Sequence, residues 1–404
     1  MLRIKMIPGL LATIVLLCIS AAQLAAQGVS STENSGLDKY QGASRGDDFS
    51  FVGVRAAEFL TIPVGPRGVA MGSAYNAVAD DISAIWWNPA GLTSVEKSTL
   101  FFQTVDYTMD LNYHYLAGIT PLMDGQLIVG GFMGFLNIPQ MEVTTINHPN
   151  GTGEFFDAYD LQVGGTVAYA MSDRFSAGAN FKYVHQDVWD ITASAFALDI
   201  GTLYSTELLN RSIRFAFTIQ NLGTNMTMGG ARLMVPIPAE GTGGQYDVPD
   251  HTYNENEDAK ARKTRSVREG IRRTHTYRLP TNVKIGVSYI PYSSGNASWL
   301  ISAELWRPSY IPTSYALGSE LNLNLNTLYT ASLRLGWQIQ TDEYNNDLDA
   351  NALTLHGDDP TMRGFSLGGG IHRMFGDKDI RFDYAYRNKG RLSADNFFSV
   401  TFGF

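Results

Sequence analysis

From Ser98 to Phe404, segment after segment alternates apolar and polar residues with a period of two, a pattern that excludes most folds at once. In 327–340, Tyr329, Ala331, Leu333, Leu335, Trp337 and Ile339 take one side, and Thr330, Ser332, Arg334, Gly336, Gln338 and Gln340 take the other. Successive side chains of a strand point to opposite faces, so such a segment has one apolar face and one polar face. The pattern recurs in 175–183, 213–220, 283–289 and 380–387. A helix would scatter the same residues around its axis.

A soluble sandwich with one solvated face also alternates. Here, however, most segments exceed the ~5–6 residues usual in globular sheets and suit a tilted bilayer crossing. Their apolar faces are rich in aromatics. Fourteen segments qualify: 98–108, 111–120, 126–137, 156–170, 174–186, 192–204, 212–221, 279–290, 297–306, 313–324, 327–340, 362–373, 379–387 and 394–404. Even-to-odd connections are all short, whereas the long ones, 138–155, 222–278 and 341–361, all run odd to even. Tight turns on one side and long loops on the other are the habit of outer-membrane barrels. The expectation is an all-β transmembrane barrel of 14 antiparallel strands, preceded by a short, mainly helical N-terminal plug. Phe398, Val400, Phe402 and Phe404 should face lipid, and a terminal aromatic on such a strand resembles the signal read by the barrel assembly machinery.

The start of the chain reads as an export signal. Arg3 and Lys5 precede an apolar run from Ile7 to Ile19, and small residues follow at Ala21, Ala22, Ala25 and Ala26. Residues 1–26 are therefore expected to be a signal peptide, 27–55 a flexible periplasmic lead-in, 56–96 the plug, and 97–404 the barrel with a large extracellular loop at 222–278. Cys18 is the only cysteine, so the exported part has neither a disulfide nor a thiolate site.

Charge and motifs narrow the function. A formal charge of −9 speaks against a nucleic-acid partner. Gly364-Phe365-Ser366-Leu367-Gly368 spells G-x-S-x-G, but it lies inside an alternating strand rather than at the strand-to-helix elbow a nucleophile needs. The histidines have no ligand spacing, so neither enzyme activity, cofactor nor metal is expected. Lys182, Asp199, Arg214, Lys284, Glu304, Arg334, Arg381 and Asp383 fall on the inward register with both signs, and should pair with one another or with whatever fills the lumen. In the long loop, Lys260, Arg262, Lys263, Arg265, Arg268, Arg272 and Arg273 form a basic block suited to lipopolysaccharide phosphates or an acidic partner.

The segment Glu58–Leu92 is too rich in small residues to be a strand and too polar to cross a membrane. Within it, Pro63, Gly65, Arg67, Gly68, Met71, Gly72, Asp80, Asp81, Trp87, Asn88, Pro89, Gly91 and Leu92 form the plug signature. It resembles the N-terminal pattern of the PorV/PorQ family of outer-membrane proteins and, more distantly, the hatch with an Asn-Pro-Ala element of FadL-like transporters. The first resemblance implies a part in type IX secretion, with cargo C-terminal signal domains and the translocon barrel as partners. The second implies transport of hydrophobic small molecules, an apolar pocket beneath 58–92 and a strand kink opening sideways to lipid.

Overall fold

The computed structural model describes residues 55–107, 110–237, 268–271, 274–309, 313–340, 364–389 and 394–404. Fourteen strands close one barrel: β1 (Thr99–Tyr107), β2 (Leu111–Leu122), β3 (Leu127–Glu142), β4 (Phe155–Ser172), β5 (Phe175–Val188), β6 (Ile191–Leu208), β7 (Arg211–Gly223), β8 (Asn282–Ser293), β9 (Ala297–Pro308), β10 (Ser314–Asn324), β11 (Tyr329–Gln340), β12 (Phe365–Phe375), β13 (Lys378–Asn388) and β14 (Ala394–Gly403). Each pairs antiparallel with its neighbour in sequence. The seam closes where β1 meets β14, from Thr99 opposite Gly403 to Asp106 opposite Asn396. Closure leaves no unpaired sheet edge, as a structure in hydrocarbon requires.

The alternation sorts as expected. Phe181, Leu317 and Leu333 stay 58, 61 and 59 % exposed on the outer face, within an apolar band too extensive for a surface in water. Phe404 stands outside, its backbone N–H donating to Ser98 O at 2.9 Å. Several boundaries differ from expectation, among them the end of the third strand at Glu142 rather than 137. The eighth strand begins at Asn282 rather than 279, because Pro280 has no N–H for the ladder and Leu279 turns inward to be buried. The sixth runs on to Leu208 because backbone pairing continues after the apolar alternation fades, with Glu207 opposite Ser212.

The plug fills the lumen. It consists of a 3₁₀ turn (Glu58–Thr61), α1 (Pro66–Ala70), α2 (Ala84–Trp87) and a second 3₁₀ stretch (Pro89–Ser94). Its path runs the length of the barrel. Ala56 N–H donates to Arg278 O (3.1 Å), just before β8 at the long-loop end, and the chain leaves at the short-turn end to enter β1. Of the expected periplasmic lead-in, only Arg55 is among the described residues, and it lies at the loop end. The signal segment lies outside them.

Close packing sets where α1 rests. Gly72 adopts φ +66°, left-handed backbone that favours glycine, and presses against Gly336 of β11. A methyl group at Gly336 would collide with the Gly72 backbone, and one at Gly318 or Gly368 would collide with Met71 or Ala70. Glycines on three successive strands thus form the seat for the end of α1.

Candidate functional site

An irregular segment buried in a barrel carries backbone polar groups that must find partners. The inward polar side chains supply them. Glu304 accepts from Tyr75 N (2.9 Å) and Asn76 N (2.8 Å). Ser302 and Ser288 donate to Ala74 O (2.6 Å) and Ala77 O (3.1 Å), Asn180 donates to Ile85 O (2.6 Å), and Gln220 donates to Trp86 O. Asn88 donates to Asn76 O (3.2 Å) and Thr202 O (3.1 Å), while its Oδ1 caps the second 3₁₀ stretch by accepting from Ala90 N. Trp87 Nε1 donates to Val64 O at 2.6 Å, and its ring fills the space that a side chain at Gly68 would need.

Charge fastens this mould on one side. Arg67 holds Glu320 of β10 at two points (2.7 and 2.8 Å), and its third nitrogen bonds both Asp80 and Asp81. Arg334 of β11 shares the Glu320 carboxylate (2.7 Å) and extends to Asp383 of β13 (2.6 Å). Arg381 reaches Asp81 at 3.4 Å, and Arg214 stands 4.0 Å from Asp80. Burial alone would raise the Asp81 carboxyl pKa. Arg67, then Arg381, and hydrogen bonds from Ser83 and Tyr75 outweigh that and hold it below its ordinary value. On β5 and β6, Lys182 pairs with Asp199 at 2.8 Å. Lys284 of β8 lies 4.2 and 4.6 Å from the ring centroids of Trp86 and Trp87, so the wall also grips the plug through cation–π contacts.

The opposite wall is apolar. On β1 to β3, Val105, Tyr113, Tyr115, Phe101 and Phe132 face inward, with Ile119 and Ile128 below them towards the short-turn end. Tyr115 stacks on Phe132 (5.9 Å between centroids) and meets the Phe101 ring edge-on (6.4 Å). Phe59, Leu60, Ile62 and Val64 of the plug join the same buried cluster. Wall side chains bond this stretch at two places among the described residues: Gln186 accepts from Ala57 N (2.8 Å), and Gln103 bonds Gly65 N (2.5 Å) and Pro63 O (3.2 Å).

A cavity of about 460 Å³ lies beside the plug towards the short-turn end, bounded by Asp80, Arg214, Asn322, His372 and Arg381. The apolar pocket expected beneath 58–92 is therefore replaced there by a charged one, because the inward register of β7, β11 and β13 carries the arginines. Among the described residues the ladder shifts register at four places, and the counterpart of a sideways kink is the shift between β6 and β7. Between Leu198 and Ile200, β7 carries an extra residue, and Asn221 N donates to the Asp199 carboxylate (2.8 Å) instead of to the ladder. That bond closes the gap.

Among solved structures, the chain shares its fold with the CymD monoaromatic hydrocarbon channel, at 11 % identity and a TM-score of 0.50, over 84 % of this chain and 96 % of that one. It also aligns with the P. putida toluene transporter TodX, at 8 % identity and a TM-score of 0.51, over 84 and 98 %. A Pseudomonas aeruginosa FadL homologue aligns over 84 and 97 %, at 12 % identity and a TM-score of 0.43. No protein-family model and no curated protein matches the sequence. The likeness is one of fold, and the PorV/PorQ resemblance stays with the sequence motifs alone.

All signature residues lie in the plug, and every polar side chain among them is bonded within the molecule. All eight inward charges face the lumen. Four of them, Arg214, Arg334, Arg381 and Asp383, join Arg67, Asp80 and Asp81 in one network; Lys284 and Glu304 hold other parts of the plug, while Lys182 and Asp199 pair with each other and with Asn221 on the wall. Of the basic block, Arg268 lies in a short strand, Arg268–Ile271, paired with Met234–Ile237. Its other members lie outside the described residues. Glu320 and Gln103 were not singled out in the sequence, although both sit on the inward register, where alternation would have placed them.

Proposed function

We propose that this protein is an outer-membrane channel, closed by its own plug, that admits small hydrophobic molecules. The observation that carries this reading is the apolar wall of β1–β3, which extends from Tyr113 near the loops to Ile119 and Ile128 near the turns. It is covered by a plug stretch, Phe59–Val64, with few polar ties. Moving that stretch exposes an apolar track while the network around Arg67 keeps the rest of the plug seated. With tight turns on the periplasmic side, the track leads from the cell surface inward. The fold likeness to CymD and TodX, whose names mark them as carriers of aromatic hydrocarbons, supports the same reading.

The PorV/PorQ resemblance implies cargo binding in type IX secretion, yet the signature's polar groups are occupied in seating the plug.

Uptake of labelled toluene by cells that make the protein tests the reading. Uptake should exceed that of cells without it, and Ala117→Trp, which narrows the apolar wall, should lower it several-fold. Equal uptake with and without the protein overturns the proposal. Cargo stranded in the periplasm of a deletion strain would favour type IX secretion instead.

A further inference from the structure

The lipid-facing surface has a groove of about 630 Å³ that crosses the strands from β11 to β1. Phe102, Phe382 and Ile371 wall one side, and Phe398, Tyr384 and Leu333 the other. It is open at its middle because Gly369, which points outward between Leu333 and Tyr384, has no side chain. The groove crosses four strand spacings, about 19 Å at ~4.8 Å each. One leaflet's acyl chain covers about half of the ~30 Å hydrocarbon core, more when tilted. Groove and chain match in length.

Just outside the groove, beyond its Ile371 wall, stands a cation. The next outward position on β12 after Ile371 is Arg373, towards the short-turn end. Its guanidinium lies over the rings of Phe375 (4.2 Å) and Tyr329 (5.1 Å). Among the described residues no carboxylate stands within ion-pair distance of it. An arginine at the edge of the bilayer, held flat by aromatic rings, presents its fork of donors to a phosphate.

We propose that the groove and Arg373 together bind one phospholipid of the leaflet at the short-turn end. One acyl chain lies across β11–β14 over Gly369, and the phosphate rests on Arg373. In a bilayer the groove gains nothing from hydrophobic burial, since the surroundings are equally apolar. Its contribution is contact: an unfilled groove loses dispersion on both faces, and a flexible chain fills it where a rigid partner would need a matching ridge. Selectivity for a phospholipid over other lipids then comes from the arginine.

Native mass spectrometry of the detergent-purified full chain tests this, with phosphatidylglycerol and a diacylglycerol of the same chains as probes. The wild type should bind one phosphatidylglycerol more tightly than diacylglycerol. Arg373→Gln should lower affinity for phosphatidylglycerol about tenfold, towards that for diacylglycerol. Gly369→Leu, which fills the groove, should weaken both lipids. Heat-modifiable migration on gels checks that each variant still forms a barrel. Equal binding of the two lipids by the wild type, or no effect of either substitution, overturns the proposal. A protein dimer lost in Gly369→Leu with lipid binding unchanged also overturns it, and assigns the groove to a second copy.

Discussion

Arg67 and Glu320, 253 positions apart in sequence, meet through two hydrogen bonds of 2.7 and 2.8 Å, and Arg334 holds the same carboxylate from the adjacent strand. One buried carboxylate thus joins the plug to the wall. Glu320→Gln leaves two guanidinium groups facing each other without their shared counter-charge. Breaking a buried pair in this way costs about 3–5 kcal/mol. Urea unfolding followed by gel migration should show a loss of that size, and Glu320→Asp, which keeps the charge, a smaller one.

The seat of α1 depends on the absence of side chains. Gly336→Val would force the Gly72 backbone away from β11, although the outward face of the barrel is untouched. The barrel should still form. Limited proteolysis should then cut within 66–94, where the wild type resists.

Ala77 and Gly286 allow the moving part of the plug to be identified. A Cβ built on Gly286 lies 3.4 Å from that of Ala77, close to the 3.5–4.5 Å span of a disulfide. Oxidised Ala77→Cys/Gly286→Cys should leave toluene uptake unchanged, because only Phe59–Val64 has to move. A loss of uptake reversed by reductant would show that the whole plug must leave.

Acidity should loosen the plug only well below neutrality. The folded-state pKa of Asp81 is depressed, so the stability from its ion pairs is complete above the unfolded value of about 4 and is lost as pH falls through the lower folded one. Protection of 66–94 from hydrogen exchange, corrected for the intrinsic pH dependence of the amides, should therefore be level from pH 7 to about 4 and fall below that. In Asp81→Asn protection should already be lower at pH 7 and the acid limb smaller, since Asp80, Glu320 and Asp383 remain.

The barrel was legible because lipid outside and a polar plug inside impose opposite demands on alternate residues. Period two over long strands is the trace of both. The plug was legible as a compositional break, and its charges as an inward register. What joins them was not. Glu320 looks like any polar residue of an alternating strand, and only the fold brings Arg67 to it. The length of β8 turned on Pro280 and Leu279, residues whose effect depends on what they pack against. The apolar pocket was expected from family resemblance, and the arginines of β7, β11 and β13 placed a charged cavity there instead.

The plug enters at the loop end and leaves at the turn end, inside a ring whose seam is β1 against β14. A ring that closed first could receive this segment only by threading it lengthwise through the finished pore. A sheet that curls around a plug already laid along it, with Thr99 meeting Gly403 last, avoids that threading. The stopper would then be the former on which the barrel is wound.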